Sequence, residues 1–234
     1  MCIRDRDERE TNYQGNGLCR NETIEKYSKT PQTTYVSFFK IMKLKLFPLN
    51  LVALPLKIIP LHIFEERYKK MIKDCINKNE EFGIIYQNND RQSKIGCSVS
   101  IEKIINTYAD GRMDVVVKGN KIFKVQRQYL QQDLVVGDIA YMPESEPLDK
   151  NTFNPLLDKY IKLLLAVGFK DNLDRHLAKT KTFELLEMIQ TSNDFELELL
   201  RLNSEKKRAE ILSRFFTSIL EQSDLFKPNE RYQS

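Results

Sequence analysis

The sequence has no tryptophan, two histidines, and four cysteines, none of which stands in a CxxC pair. Cys75 and Cys97 lie among apolar residues, where a free thiol behaves as a small hydrophobic side chain. The supply of metal ligands is therefore poor, and the spacing predicts neither a disulfide framework nor a zinc site. We expect no cofactor and a reducing, cytoplasmic setting.

Motifs for nucleotide binding and hydrolysis are missing as well. None of the eight glycines stands in a GxxxxGK[ST] phosphate loop, and neither a GxSxG elbow nor an HExxH helix occurs. Neither His62 nor His176 has a serine or cysteine partner at a diagnostic spacing. We interpret His62 as a structural residue at a strand end and His176 as a surface residue. The sequence therefore predicts a protein that is not an enzyme.

Long uninterrupted hydrophobic runs are also absent. Residues 42–64 begin with lysines and continue with apolar residues, a pattern that resembles a signal peptide or a membrane anchor. Pro48, Pro55 and Pro60 interrupt this stretch, which falls short of the roughly 20 apolar residues that a spanning helix needs. We interpret it as buried strands joined by a loop, and we expect no membrane partner.

Charged residues of both signs are plentiful. The 234 residues are 41% hydrophobic and 30% charged, with a net charge of +4, which is typical of a folded protein with a core. Basic and acidic residues alternate along most of the chain, so they predict a mixed solvated surface. Binding to nucleic-acid phosphates usually needs a stronger and more one-sided basic bias.

The chain divides into four regions by composition. Residues 1–41 carry scattered charges and few aliphatic side chains, and we expect them to be disordered or loosely attached. Their opening, MCIRDR, resembles a spurious translation of upstream DNA, so Met42 is the expected natural start. Residues 42–147 have strand-like patterns, residues 148–226 have helical patterns, and residues 227–234 form a polar tail.

Strand signals dominate the second region. Alternation of apolar and small residues over 95–101 predicts a strand with one buried face. Asp110-Gly111 and Gly119-Asn120 each predict a hairpin turn. An apolar stripe at helical spacing from Phe64 to Ile76 predicts one helix between the strands. Five or six short strands with one inserted helix favour a small barrel-like sheet in an α+β fold.

Helical periodicity dominates the third region. Apolar residues recur at helical spacing over 156–167, around 183–189, over 195–202 and over 211–220. The first of these helices has a wide apolar face, which predicts a central position. We expect the helices to form a small bundle that packs on the sheet.

Several short motifs occur in a recognisable order. They are residues 46–49 (LFPL), 61–68 (LHIFEERY), 95–97 (IGC) and 110–112 (DGR). Together they resemble the amino-terminal substrate-binding domain of ATP-dependent Lon proteases, over roughly residues 42 to 225. The resemblance implies a small PUA-like β pseudo-barrel with an inserted helix, followed by a C-terminal helical bundle.

Two positions depart from that family's pattern. Most relatives have a glycine after the proline of the first loop, whereas Leu56 and Lys57 follow Pro55 here. The shape of this loop, and any contact made through it, is therefore open. The arginine that usually precedes the phenylalanine of the fifth strand is replaced by Ile122.

The resemblance implies binding rather than hydrolysis, because the chain contains no counterpart of the Lon ATPase or peptidase. We predict a module that binds apolar segments of partially unfolded or partner proteins and presents them to a separate protease. The binding surface would be an apolar groove between barrel and helices, or a free sheet edge that pairs with an extended peptide. Pro60 indicates an unpaired edge, so the predicted site at that edge is Lys57, Ile58, Ile59 and Pro60.

The alternative function is an RNA-binding PUA-like module. It would need bases stacked on an aromatic residue beside basic side chains. Asp110 and Asp114 lie within the candidate stretch and oppose phosphate binding, so nucleic acid is the less favoured partner. Peptidase activity is the least favoured possibility, and the sequence leaves the oligomeric state open. The candidate RNA-binding residues are Tyr108, Arg112, Lys118, Lys121 and Lys124.

Overall fold

A computed structural model describes residues 40–169 and 171–225 of the chain. These ranges contain six strands and five α-helices in an α+β arrangement. The predicted disordered or spurious segment lies outside the described residues, apart from Lys40 and Ile41, and Ile41 begins the first strand. The predicted polar tail also lies outside them.

The strands form one mixed sheet. They are β1 (Ile41–Leu49), β2 (Ile58–Ile63), β3 (Phe82–Gln87), β4 (Gln92–Thr107), β5 (Met113–Gln131) and β6 (Leu134–Tyr141). Their order is β2-β5-β4-β3-β1-β6, with β1 and β3 parallel. Because β5 pairs with both β4 and β6, five strands close into a ring, and β2 extends β5 on the outside. The prediction of short strands is wrong for β4 and β5, which span 16 and 19 residues.

One helix follows β2 and the others follow β6. They are α1 (Glu66–Lys78), α2 (Lys150–Ala166), α3 (Leu173–Leu177), α4 (Asn193–Arg201) and α5 (Glu205–Leu225), with a 3₁₀-helix at Thr182–Leu186. Side chains cap three of them: Asp149 accepts from the Thr152 N–H before α2, Ser192 accepts from the Phe195 N–H before α4, and Ser204 accepts from the Lys207 N–H before α5. These bonds satisfy backbone donors that a helix start leaves free.

The α-helix predicted around residues 183–189 is wrong, since this stretch forms the short 3₁₀-helix. Phe183, Leu185 and Leu186 are all buried. Such closely spaced buried residues do not share one face of an α-helix. The Glu184 carboxylate also accepts the backbone N–H groups of Thr180 (2.7 Å) and Lys181 (2.8 Å), which holds the chain in a tight turn.

The two predicted hairpin turns have different outcomes. Asp110-Gly111 lies in the β4–β5 turn, where Gly111 has φ +81° and its N–H donates to the Tyr108 carbonyl. Gly119-Asn120 lies inside β5 instead, so the second turn prediction is wrong. A Cβ on Gly119 would approach the Leu54 carbonyl oxygen to 2.0 Å. The glycine therefore serves a close backbone approach rather than a turn.

The sheet buries apolar side chains on both faces. One face packs against α1, and the opposite face encloses a smaller core inside the ring. On β4, Cys97 and Val99 belong to the first core. A Cβ on Gly96 would approach the Phe123 ring of the second core to 2.7 Å. The prediction of one buried face on this strand is therefore wrong. The ring core consists of Leu46, Ile85, Phe123, Val125 and Ile139.

The apolar stripe that predicted α1 is shorter than expected. Tyr68, Met71, Ile72 and Cys75 are buried on α1, as the spacing predicted. Phe64 precedes the helix and is 62% exposed, because the chain remains extended at Glu65 before α1 begins. Residues 42–64 contribute β1, a loop and β2, as predicted, and no helix within the described ranges is long and apolar enough to cross a membrane.

A third core joins the helices to the sheet. Val52, Leu54 and Tyr86 from the strand region pack with buried residues of α2, α4 and α5. The prediction that His176 lies on the surface is wrong, since its side chain is 3% exposed. Its Nδ1 lies 2.8 Å from the hydroxyl of Tyr160, so the polar ring is partnered inside this core. The division of the chain near residue 147 remains a prediction.

Candidate functional site

A groove of about 400 Å³ lies between the sheet and the helices, and we call it the apolar groove. Five segments of the chain form its walls, at residues 55–56, 120–122, 142–148, 180–183 and 203–208. Local folding alone brings none of these segments together, because they are far apart in sequence. Its apolar lining includes Pro55, Leu56, Ile122, Met142, Pro143 and Leu148.

A buried ion pair, Arg208 with Glu205, forms part of the lining of the apolar groove. Arg208 is 3% exposed, and its Nη2 donates to Glu205 Oε1 at 2.6 Å and to Ser145 Oγ at 2.6 Å. Its Nε donates to Thr182 Oγ1 at 3.2 Å, and its guanidinium lies 4.5 Å from the centre of the Phe183 ring. A buried ion pair with this many partners holds its surroundings in place. We therefore assign it a structural role.

The mouth of the apolar groove carries charges of both signs. Lys121 and Lys181 are exposed on its lining, together with the exposed carboxylate of Glu144. Two cations against one anion give the mouth a small positive excess, while the walls remain apolar. Such a groove suits an apolar segment with polar or acidic flanks.

A second opening lies on the other side of Leu56, with a volume of about 270 Å³. We call it the cationic cavity, because four basic side chains and two carboxylates line it. Leu56 and Phe183 line both openings and separate them. The charged lining residues are Lys57, Lys118, Arg175, Lys179, Glu184 and Glu187.

Most charges in the cationic cavity are partnered. Glu187 accepts from Lys179 Nζ at 2.6 Å and pairs with Arg175. Partial burial raises the pKa of Glu187, but the hydrogen bond from Lys179 and the nearby positive charges outweigh this effect and lower it overall. Glu187 is therefore ionised at neutral pH. Lys57 pairs with the buried carboxylate of Glu196, which lies on α4.

Leu56 has an unusual backbone conformation, with φ at 67°. This left-handed region favours glycine, and a leucine there is strained. Backbone hydrogen bonds hold it in place: the Leu56 N–H donates to the Gly119 carbonyl at 2.8 Å, and the Lys57 N–H donates to Leu54 at 3.2 Å. The loop thus has a left-handed residue directly after Pro55, the position at which the resemblance leads us to expect glycine.

The four residues predicted as a binding edge have different environments. Lys57 is half-buried, and Ile58 is 48% exposed; both line the cationic cavity. Ile59 is 6% exposed and belongs to the core under α1, so its side chain is not accessible to a partner. Pro60 is exposed but lines neither opening. The structure therefore places half of the predicted site beside the openings.

β2 is an edge strand, as Pro60 predicted, since among the described strands it pairs with β5 alone. The Lys57 carbonyl accepts from the Gly119 N–H on β5 at 3.0 Å. Because alternate residues of an antiparallel strand turn their peptide groups to opposite edges, those of Ile58, Pro60 and His62 point away from β5. Proline has no N–H, so the free edge lacks its central donor.

The five candidate RNA-binding residues do not form one patch. The Tyr108 hydroxyl donates to Asp114 Oδ2 at 2.7 Å, and Arg112 Nε donates to Asp110 Oδ2 at 2.7 Å. Asp114 and Asp110 thus partner the two candidate residues that lie beside the β4–β5 turn. The three lysines lie further along β5, between six and twelve residues beyond Arg112. Two of them, Lys118 and Lys121, line different openings.

Sequence reasoning missed most residues that line the apolar groove. Met142 and Pro143 follow β6, and the sequence placed them only within the strand-like region 42–147. Phe183 was predicted as part of a longer helix. Leu56 and Ile122 are exceptions, because their departures from the family pattern drew attention to them. In the described ranges, no three His, Cys, Asp or Glu side chains lie close enough together to hold a metal ion.

Comparisons with known proteins agree with this fold. Residues 43–223 match the ATP-dependent protease La (LON) substrate-binding domain. A solved structure of a Lon N-terminal domain protein from Xanthomonas campestris is 27% identical; the match covers 80% of this chain and 100% of that chain, with a TM-score of 0.57. The N-terminal domain of Mycobacterium avium complex Lon protease is 17% identical; the match covers 75% and 98% of the chains, with a TM-score of 0.61, and it bears on the fold alone. The RNA-binding alternative is not favoured by these matches. The chain belongs to the family of LON substrate-binding domains.

Proposed function

We propose that this chain binds segments of incompletely folded proteins in the apolar groove and catalyses no reaction itself. The observation that carries the proposal is the groove, in which four separate segments contribute apolar side chains and the fifth contributes a fully partnered ion pair. Its volume of about 400 Å³ falls within the usual range of binding sites. It offers room for one or two apolar side chains of an extended segment.

The physical chemistry supports transient binding. Burial of one Leu or Phe side chain contributes about 1.5–3 kcal/mol, and ordering of the bound segment offsets part of it. One or two such side chains give weak, reversible binding. Weak binding suits a module that holds many different unfolded chains and releases them.

The proposal extends to the partner and the setting. We interpret the closed ring as a small PUA-like pseudo-barrel and the helices as a bundle, with the apolar groove between them. The substrate would be an unfolded or partner protein in the cytoplasm. A separate protease would receive it. The family supports substrate binding as the common property, and delivery to a protease is the further step that we propose.

The first test places a charge in the groove. Met142→Glu introduces a carboxylate among apolar walls, and Leu130→Glu introduces the same change at an apolar residue of β5 that is 74% exposed and lines no described opening. Binding of a fluorescent, carboxymethylated, permanently unfolded model protein is measured by anisotropy. We expect Met142→Glu to weaken binding about tenfold and Leu130→Glu to leave it unchanged. Equal affinities in both variants, or no binding by the parent, would refute the proposal.

The predicted edge at Lys57, Ile58, Ile59 and Pro60 is a second binding mode, and it has its own test. Pairing with β2 requires backbone N–H groups of the bound peptide, whereas the apolar groove requires its side chains. A peptide methylated at alternate backbone nitrogens loses edge pairing and keeps its apolar side chains. Retained binding of the methylated peptide supports the groove, and loss of binding supports the edge.

A further inference from the structure

We propose that the apolar groove and the cationic cavity form one two-part site that selects segments with an acidic side chain close to an apolar one. The inference rests on the proposed function, because it names the class of segment that the groove would take. The occupant is an extended peptide. Its apolar side chain enters the groove, and its carboxylate enters the cationic cavity.

The two openings are adjacent. Leu56 and Phe183 are the described residues that line both of them, so the wall between them is about one side chain thick. An extended chain rises about 3.3 Å per residue, and side chains two residues apart are therefore roughly 6.6 Å apart. Side chains at this spacing also point to the same face of an extended segment. An apolar and an acidic residue separated by one residue would reach both openings at once.

The charge of the cationic cavity favours a carboxylate. Of its four basic residues, three have carboxylate partners: Lys57 pairs with Glu196, and Arg175 and Lys179 pair with Glu187. The remaining carboxylate, that of Glu184, accepts two backbone N–H groups.

Lys118 is the basic residue of the cavity that has no carboxylate partner. Within residues 40–169 and 171–225, its ammonium group makes no hydrogen bond or ion pair. It lies on β5 opposite Ile58 and is half-buried. A half-buried cation without a partner attracts an incoming anion, and charge-assisted hydrogen bonds are stronger than neutral ones. Lys118 is therefore the residue that would select an acidic side chain.

Leu56 would set the preferred distance between the apolar and the acidic side chain of the bound peptide. Its side chain forms part of the wall, and it remains there although its backbone conformation is strained. Strain of this kind persists where the surroundings fix it, and it is frequent at binding sites. Glycine at this position would fit the backbone and remove the side chain. The wall between the openings would then consist of Phe183 alone, and the preference for one spacing would weaken.

The experiment uses labelled peptides that differ at one position. Each contains a leucine, followed two residues later by Glu, Gln or Lys, and binding to the full chain is measured by anisotropy. We expect the Glu peptide to bind about tenfold more tightly than the Gln peptide. Lys118→Met should abolish this difference, and Lys118→Glu should make the Lys peptide the preferred one. Lys124→Glu is the matched control, because Lys124 is an exposed lysine of β5 that lines neither opening.

The outcomes separate this inference from the proposed function. If the parent chain binds all three peptides equally, and Met142→Glu is the one variant that weakens this binding, the two-part site is overturned. The proposed binding in the apolar groove then still stands. An acidic preference that survives Lys118→Glu would also overturn it. If none of the peptides binds and unfolded protein does not bind either, the proposed function itself fails. In a series with one to four residues between the two side chains, Leu56→Gly should broaden the preferred spacing.

Discussion

The hydroxyl of Tyr160 lies 2.8 Å from Nδ1 of His176 in the core that joins the helices to the sheet. Both side chains are buried, at 0% and 3% exposure. Burial raises the pKa of Tyr160, so its hydroxyl keeps its proton at neutral pH. Burial also lowers the pKa of His176, so we assign the neutral ring with an unprotonated Nδ1 that accepts from the hydroxyl.

The first prediction concerns this neutral histidine. Burial, and then the charge of Lys179, lowers the pKa of His176 below its ordinary value of 6.5, while Glu187 opposes the shift. Below that value the unfolded chain binds more protons than the folded one, so the free energy of unfolding falls as the pH drops. The free energy of unfolding stops falling for this reason once the pH is below the pKa of His176 in the folded chain. Urea unfolding at pH 8 and pH 5 measures the effect.

His176→Gln is the matched variant, because its amide oxygen accepts a hydrogen bond but does not titrate. We expect the variant to lose less stability than the parent between the two pH values. The same loss in both proteins would show that the burial of His176 does not contribute to the pH dependence.

The second prediction compares two glycines. A Cβ on Gly119 would lie 2.0 Å from a backbone oxygen, whereas one on Gly168 would have no heavy atom within 4 Å. Gly119→Ala should cost about 3 kcal/mol or more, because backbone must move. Gly168→Ala should cost about 1–2 kcal/mol, from its φ of +81° alone. Similar unfolding midpoints for both variants would contradict the close approach at Gly119.

The third prediction compares two arginines. Arg208→Met leaves Glu205, which is 8% exposed, without its cation, and should cost about 3–5 kcal/mol in chemical unfolding. Arg112→Met removes the partner of Asp110 at the solvent-exposed β4–β5 turn and should change stability little. A mild effect of Arg208→Met would show that its many hydrogen bonds are not required for stability.

The fourth prediction concerns thiol reactivity. Burial raises the pKa of the Cys97 thiol to about 12, and burial also raises that of Cys75. The thiolate is the reactive form, so both should resist iodoacetamide at pH 8 in the folded protein and react in urea. Leu130→Cys adds an exposed thiol as a positive control. Mass spectrometry of tryptic peptides gives the labelling, and rapid native labelling of Cys97 would contradict the buried environment.

The features that the sequence predicted well depend on neighbouring residues. The Asp110-Gly111 turn, the edge position of β2 and the buried stripe of α1 each follow from the chemistry of a few adjacent side chains. Turn geometry, proline's missing donor and helical periodicity act over short stretches of chain, so a single sequence reveals them.

The features that were mispredicted depend on distant residues. Gly119-Asn120 has the composition of a turn, but the Leu54 backbone, 65 residues earlier, requires the glycine. His176 lies in a charged stretch, yet Tyr160 and the surrounding apolar side chains bury it. The apolar groove is the extreme case, since its five segments meet only in the folded chain. Its residues carry no shared local pattern.

Pro60 has a consequence for the protein at high concentration. A free sheet edge is a template on which a second chain can add a strand, and growth of this kind leads to aggregation. With no donor at its centre, the outer edge of β2 is a poor template. Under the proposed function, the protein meets many extended segments that are able to add to a sheet. Because of Pro60, the protein exposes the edge of β2 to such segments and still resists incorporation into a growing aggregate.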